Sequence, residues 1–219
     1  MDKKRVIAYF DGFNYYEALR SKKWRHYYWQ DLFKFSELFL RKHQQLDKVR
    51  LFTAIQQDPD KSDRQDKWLQ ANKLNDKFNV TYGEFKKRHK WKRVECNNCS
   101  KKDNYKIEYW EEKKTDVSLA SYIIRDVALN ECDVIFLFCA DSDLSLCIDL
   151  AREINPLIKI VIFFPPGIFS SDLNNKASNV IRLENHEQKF KKSIMPLSIT
   201  NTDGYILNCP EKWLPKENK

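Results

Sequence analysis

Four aspartates and one asparagine stand where this chain could do chemistry. In VIAYFDGFNYYEAL (6–19), Asp11 follows an apolar run at once, with Gly12 behind it and Asn14 three places on. CADSDLSL (139–146) puts Asp141 and Asp143 directly after the apolar run 134–139, and KKTDVSLASYII (113–124) puts Asp116 in the first turn of a helix with Thr115 as its expected N-cap. Carboxylates delivered by separate segments suit Mg²⁺ or Mn²⁺. Mg²⁺ takes few protein carboxylates, keeps waters and borrows phosphate oxygens from its substrate, and one or two such ions serve in-line displacement at phosphorus. A plainer account exists for each acid alone. Asp-Gly makes turns, Asn14 could cap a helix, and Asp116 and Asp143 sit where the helix dipole favours an acid. Asp141 is the hardest to explain that way, because it ends an apolar strand.

The elements that must position these residues alternate. Strands are expected at 5–10, 49–55, 80–85, 134–139, 159–164 and 180–183, and helices at about 31–43, 61–77, 115–129 and 143–154. Such alternation predicts an α/β fold with a mostly parallel central sheet and right-handed crossovers. In sheets of that kind ligands gather beyond the carboxyl ends of the strands, where Asp11 and Asp141 fall. Two stretches interrupt the rhythm. SKKWRHYYWQ (21–30) is basic and aromatic, with Trp24, Tyr27, Tyr28 and Trp29 expected mostly to pack. Residues 86–112 are too long for an ordinary connection and read as a β-ribbon insertion. Residues 1–185 make the expected main domain, and 186–219 a C-terminal arm packing on it.

The 39 Lys and Arg against 31 Asp and Glu leave a net charge of +8, which suits a polyanionic partner without naming it. No apolar run reaches the roughly 18 residues of a membrane span. MDKKRV leads straight into a strand, and several of the six cysteines lie in apolar segments, so a cytoplasmic protein with reduced thiols is expected.

Taken together and in order, Asp11-Gly12-Phe13-Asn14, Lys114-Thr115-Asp116-Val117 and Asp141-Ser142-Asp143 resemble the three signature motifs of NYN domains, PIN-like ribonucleases. The chain is most similar to the bacterial LabA-like branch, and Pro210 and Trp213 resemble that branch's closing Pro-x-x-Trp. The resemblance implies a three-layer, Rossmann-like PIN fold and a divalent-metal-dependent ribonuclease that cleaves RNA phosphodiesters by water attack. It implies Asp11, Asp116 and Asp141 as metal-binding acids and Asp143 as a further ligand or supporting group. Asn14 would hold the loop or a water at the metal. Ala140 and Leu144 depart from the family's usual Gly and Phe. A fourth acid is not clearly placed, with Glu112 and Asp172 as candidates.

KKRHKWKR (86–93) offers Lys87, Arg88, Lys90, Lys92 and Arg93 to a phosphate backbone and Trp91 to a base; the plainer account is a charge-protected edge. Arg64, early in a helix, is a further phosphate candidate. Cys96 and Cys99 have half the spacing of a zinc knuckle. Structural zinc takes four ligands and no second Cys-x-x-Cys exists, so a reduced pair is expected, with Zn²⁺ shared between two chains as the alternative. A phosphatase of the haloacid-dehalogenase type needs a second acid where Phe13 stands. The remaining alternatives are a non-catalytic RNA-binding module and a nuclease acting on DNA. RNA, single-stranded or structured, rests on the resemblance, and homodimerisation is left open.

Overall fold

Short runs of Val, Ile and Phe make strands buried on both faces, and six of them build the centre of this protein. The computed structural model describes residues 3–95, 102–201 and 203–214, so Cys96 and Cys99 lie outside the described residues. In chain order the elements begin β1 (Lys4–Asp11), α1 (Gly12–Ser21), α2 (Leu32–Glu37), β2 (Gln44–Thr53), α3 (Pro59–Asn72) and β3 (Phe78–Tyr82). The ribbon strands β4 (Glu84–Glu95) and β5 (Lys102–Lys113) follow, then α4 (Thr115–Ala128), β6 (Val134–Phe138), α5 (Ser145–Ile154) and β7 (Lys159–Phe164). The last are α6 (Ser171–Lys176), β8 (Asn179–Arg182), α7 (Glu187–Lys192), β9 (Ser198–Thr200) and β10 (Ile206–Asn208).

The central sheet runs β3-β2-β1-β6-β7-β8, and every pair in it is parallel. It is a three-layer, Rossmann-like arrangement. Alternation along each strand sorts the core. Val6, Ala8, Phe10, Phe136 and Phe138 pack with Tyr15 and Leu19 of α1, Phe35 of α2, Leu69 of α3 and Phe190 of α7. Ile7, Tyr9, Ile135 and Leu137 face Leu119 and Ile123 of α4, Ile148 of α5 and Leu173 of α6 on the other side. Phe10 and Phe138 stack at 3.9 Å between centroids across the central pair.

Several predicted bounds shift. The helix expected at 31–43 stops at Glu37, because β2 begins at Gln44 to pair with Lys4 and sheet pairing overrides helix propensity. The helix expected at 61–77 spans Pro59–Asn72 instead: Asp58 caps it by accepting from Lys61 N–H at 2.9 Å, with Pro59 first. The strand expected at 80–85 is broken at Gly83, where a Cβ would collide with the Thr115 hydroxyl and lie 2.6 Å from Lys113 O. That contact seats the ribbon against the start of α4. Thr115 is the first helical residue, not the N-cap; Lys114 holds that place with φ of 74°.

Far along α4, buried Asp126 accepts from Tyr9 Oη at 2.7 Å and pairs with Arg50 Nε at 2.7 Å. Helix and sheet are thereby locked together, which fixes the register of α4 and so the place of Asp116. Among the described residues, no helix is long and apolar enough to cross a membrane.

Candidate metal centre

β1 sits at the point where the strand order reverses, with β2 on one side and β6 on the other. That is the crevice in which open α/β sheets bind ligands. Asp11 is the last residue of β1 and Asp141 follows β6, while Asp116 comes from the first turn of α4. Oxygens of Asp11, Asp116 and Asp141 all lie within 4.8 Å of one another. Asp143 stands outside that set, exposed, though its charge reaches Asp116.

The aspartates also do the local work that their positions suggest. Asp11 Oδ1 accepts from Asn14 N–H at 3.0 Å and caps α1, and Asp141 Oδ1 accepts from Asp143 N–H at 3.0 Å. Capping aims each carboxylate through one of its two oxygens. Asn14 adds a second tie, its Oδ1 accepting from Ala140 N–H at 3.1 Å. Gly12 is required by close packing: a Cβ there would lie 2.7 Å from Phe52 O and 2.9 Å from Thr53 Cβ.

Cys139 read as a small apolar core residue. It is buried, but its thiol donates to Asp11 Oδ2 at 3.2 Å and its sulfur accepts from Asp141 N–H at 3.1 Å. Burial holds the thiol well above its usual range, so it remains a donor. Nothing in its apolar sequence context separates it from Cys132 or Cys147.

Burial pushes the Asp11 carboxyl up to about 6, with Asp116 and Asp141 adding repulsion and the Asn14 and Cys139 bonds opposing it. Asp116 is raised too, by partial burial and then by Asp141 and Asp143. Glu112, on β5, accepts from Thr115 Oγ1 at 2.5 Å and is raised by burial and by the charges of Asp11 and Asp116. Its charge thus reaches Asp11 and Asp116, though like Asp143 it stands outside the three-acid set. Asp172 is exposed on α6 and contributes to neither shift. Crowded carboxylates that hold one another's protons are relieved by a cation, and an all-oxygen donor set suits a hard divalent ion.

The basic residues fall in two places. Lys87, Arg88, Lys90, Trp91, Lys92 and Arg93 all lie exposed on β4. Part of their charge is neutralised across the ribbon, since Lys87 meets Glu108 at 2.5 Å and Arg88 meets Glu111 at 3.1 Å. Lys90 lies 5.2 Å from the centroid of the Tyr109 ring, and Trp91 is 72% exposed. Glu112 pairs with Phe85 at the ribbon base, and Arg93, eight residues further along, stands about 27 Å out. The basic stretch is an arm, not a wall of the acidic crevice.

Arg64, on α3, lies elsewhere. It lines an aromatic pocket that begins at Gly12 and Glu112 and includes Phe13, Tyr16, Tyr28 and Trp213. Of SKKWRHYYWQ, Tyr27 and Trp29 are core residues, and Tyr27 and the half-buried Tyr28 both line this pocket.

No family model matches the chain, and no curated protein matches it. Among solved structures, it is similar to a protein of unknown function from Vibrio parahaemolyticus, with 18% identity and a TM-score of 0.52 over 82% of this chain and 92% of that one. That likeness supports the fold and carries no activity.

Proposed function

We propose that this protein is a divalent-metal-dependent nuclease that hydrolyses phosphodiester bonds, with RNA as substrate. The observation that carries the reading is the convergence of Asp11, Asp116 and Asp141, from three separate elements, within 4.8 Å at the reversal point of a parallel sheet. The motifs that resemble NYN domains supply these same three acids.

Asp11, Asp116 and Asp141 would hold Mg²⁺ or Mn²⁺, with Glu112 and Asp143 adding negative charge beside them. An ion bound there activates water and neutralises charge developing at phosphorus. The chain's own part is positioning. Asn14 and Cys139 fasten the Asp11 loop to the Asp141 loop, so the carboxylates are pre-set and little reorganisation accompanies binding. The high proton affinity of Asp11 ties occupancy to pH, because a ligand carboxylate must first lose its proton. The ribbon, with Lys87, Arg88, Lys90, Lys92 and Arg93 beside exposed Trp91, would track a polyanion outside the crevice.

The second reading is a nucleic-acid-binding module without turnover, which the basic ribbon and the aromatic pocket favour equally. Incubating wild-type protein with labelled RNA under Mg²⁺, Mn²⁺ or EDTA separates them. Cutting that depends on the ion supports the nuclease, and binding without cutting under either ion supports the module.

A further inference from the structure

Next to the acids, the surface changes character. Phe13, one residue beyond Gly12, is 46% exposed at the mouth of the pocket that Glu112 and Arg64 also line. A chain of aromatic rings forms the pocket's wall: Tyr16 and Tyr28 lie 5.0 Å apart between centroids, and Tyr28 meets Trp213 edge-on at 5.5 Å. Lys61 and Arg64 add positive charge from α3. Beyond this wall the same residues Tyr16, Tyr28, Arg64 and Trp213 border a second depression lined by Arg20, Lys23 and Arg25. Arg20 is held by Glu17 at 2.6 Å and Lys212, also in the lining, meets Asp60 at 3.4 Å, leaving Lys23, Arg25 and Arg64 as the positive edge.

The order along the surface is thus acids, aromatic pocket, basic depression. We infer that the pocket takes one unstacked nucleobase of a single-stranded nucleic acid, next to the phosphate that a divalent ion at the acids would hold, while the basic depression takes the following phosphates. This rests on the nuclease reading for its first step and names the substrate form that reading left open. A flat π-surface is the partner every base offers, and stacking on aromatic side chains is how single strands are held without sequence reading. The lining fits that occupant better than an aliphatic chain, because aromatic rings and cations line the same two adjoining depressions. A stacked duplex keeps its bases inside and cannot fill the pocket. The wall draws on α1, the segment after it and the C-terminal Trp213, so the otherwise unassigned tail has a part in the site.

The test is an abasic scan. Fluorescent ten-nucleotide RNA strands, each lacking one base, are bound to the full chain with Ca²⁺ in place of Mg²⁺, alongside the intact strand, its duplex and the DNA strand of the same sequence. One position is expected to lose about tenfold in affinity. Phe13→Ala should lose the same factor on the intact strand and nothing more on that abasic strand, while Phe13→Tyr retains binding. The DNA strand should show the same Phe13 dependence, since a π-face reads no 2′-hydroxyl. Arg64→Gln should weaken all strands alike and lower the salt slope by about 1. Additive losses, a flat scan, or a duplex bound as tightly as the single strand would overturn the pocket. Because the readout is binding, a failed cleavage assay with an intact scan removes the nuclease and leaves the pocket; the converse removes only the pocket.

Discussion

Asn14 Oδ1 accepts a hydrogen bond from Ala140 N–H at 3.1 Å, and so the turn carrying Asp11 is fastened to the turn carrying Asp141. One amide side chain, three residues from one acid, sets its distance from the next. Replacing Asn14 by Ala strands a backbone donor and frees both turns. A donor left unpaired costs about 1–3 kcal/mol, so the melting temperature should fall by a few degrees and Mn²⁺ affinity by about tenfold. Calorimetric Mn²⁺ titration of Asn14→Ala checks this; unchanged affinity would make the bond merely structural.

Asp11 gives the site a pH signature. Its carboxyl is held at about 6, above the ordinary 3.8, chiefly by burial. The folded protein therefore binds this proton more tightly than the unfolded chain does. The stability it confers is fully present below pH 3.8 and lost as pH rises through 6, a swing of about 3 kcal/mol at most. Asp11→Asn should thus raise the melting temperature of metal-free protein at pH 7.5 and lose that advantage near pH 4. Mn²⁺ should stabilise wild type at pH 7.5, and the variant little. A difference between the two proteins that stays flat with pH would contradict this assignment.

Glu112 separates charge from structure. Its Oε1 accepts from Thr115 Oγ1 at 2.5 Å, a bond that Gln can keep. Glu112→Gln should leave the melting temperature within about one degree and weaken Mn²⁺ binding by about tenfold, since it removes one negative charge from the set. Equal affinity in both proteins would exclude Glu112 from the site.

The ribbon should act through charge. Changing Lys87, Lys90 and Arg93 together to Glu is expected to weaken RNA binding and flatten its dependence on salt, by about one unit of slope for each phosphate no longer neutralised. Lys87 should contribute least, because Glu108 already pairs with it at 2.5 Å. Equal slopes for variant and wild type would leave the arm a solvated edge.

Much of this was legible in the sequence for one reason. A strand buried on both faces reads as an unbroken apolar run, so an acid that ends one is conspicuous, even where it also caps the turn that follows, as Asp11 and Asp141 do. Asp11 and Asp141 stood out on that ground, and Asp116 through its place in the first turn of α4. What escaped depends on contacts across the fold. Cys139 looked like any apolar cysteine until β6 lay beside β1 and brought its thiol to Asp11. Glu112 was one of two candidates, and only the ribbon register shows it returned to the ribbon base beside Thr115. Asp143, expected as a further ligand or a supporting group, stands outside the three-acid set with its charge reaching Asp116. SKKWRHYYWQ packs as its composition suggests, with Tyr27 and Trp29 buried and Trp24 and Tyr28 against the core, but nothing in it shows that Tyr28 also meets Trp213 from far along the chain.

The most direct test of the central claim is the single-turnover cleavage rate of labelled single-stranded RNA in Mn²⁺, wild type beside Asp141→Asn. Asp141 is only partly buried, and Asn can keep its cap, so the variant should fold. A wild-type rate that falls by about a thousandfold in the variant, with the strand still bound, is the predicted result. A variant that cuts as fast as wild type would contradict it and place the chemistry away from these aspartates.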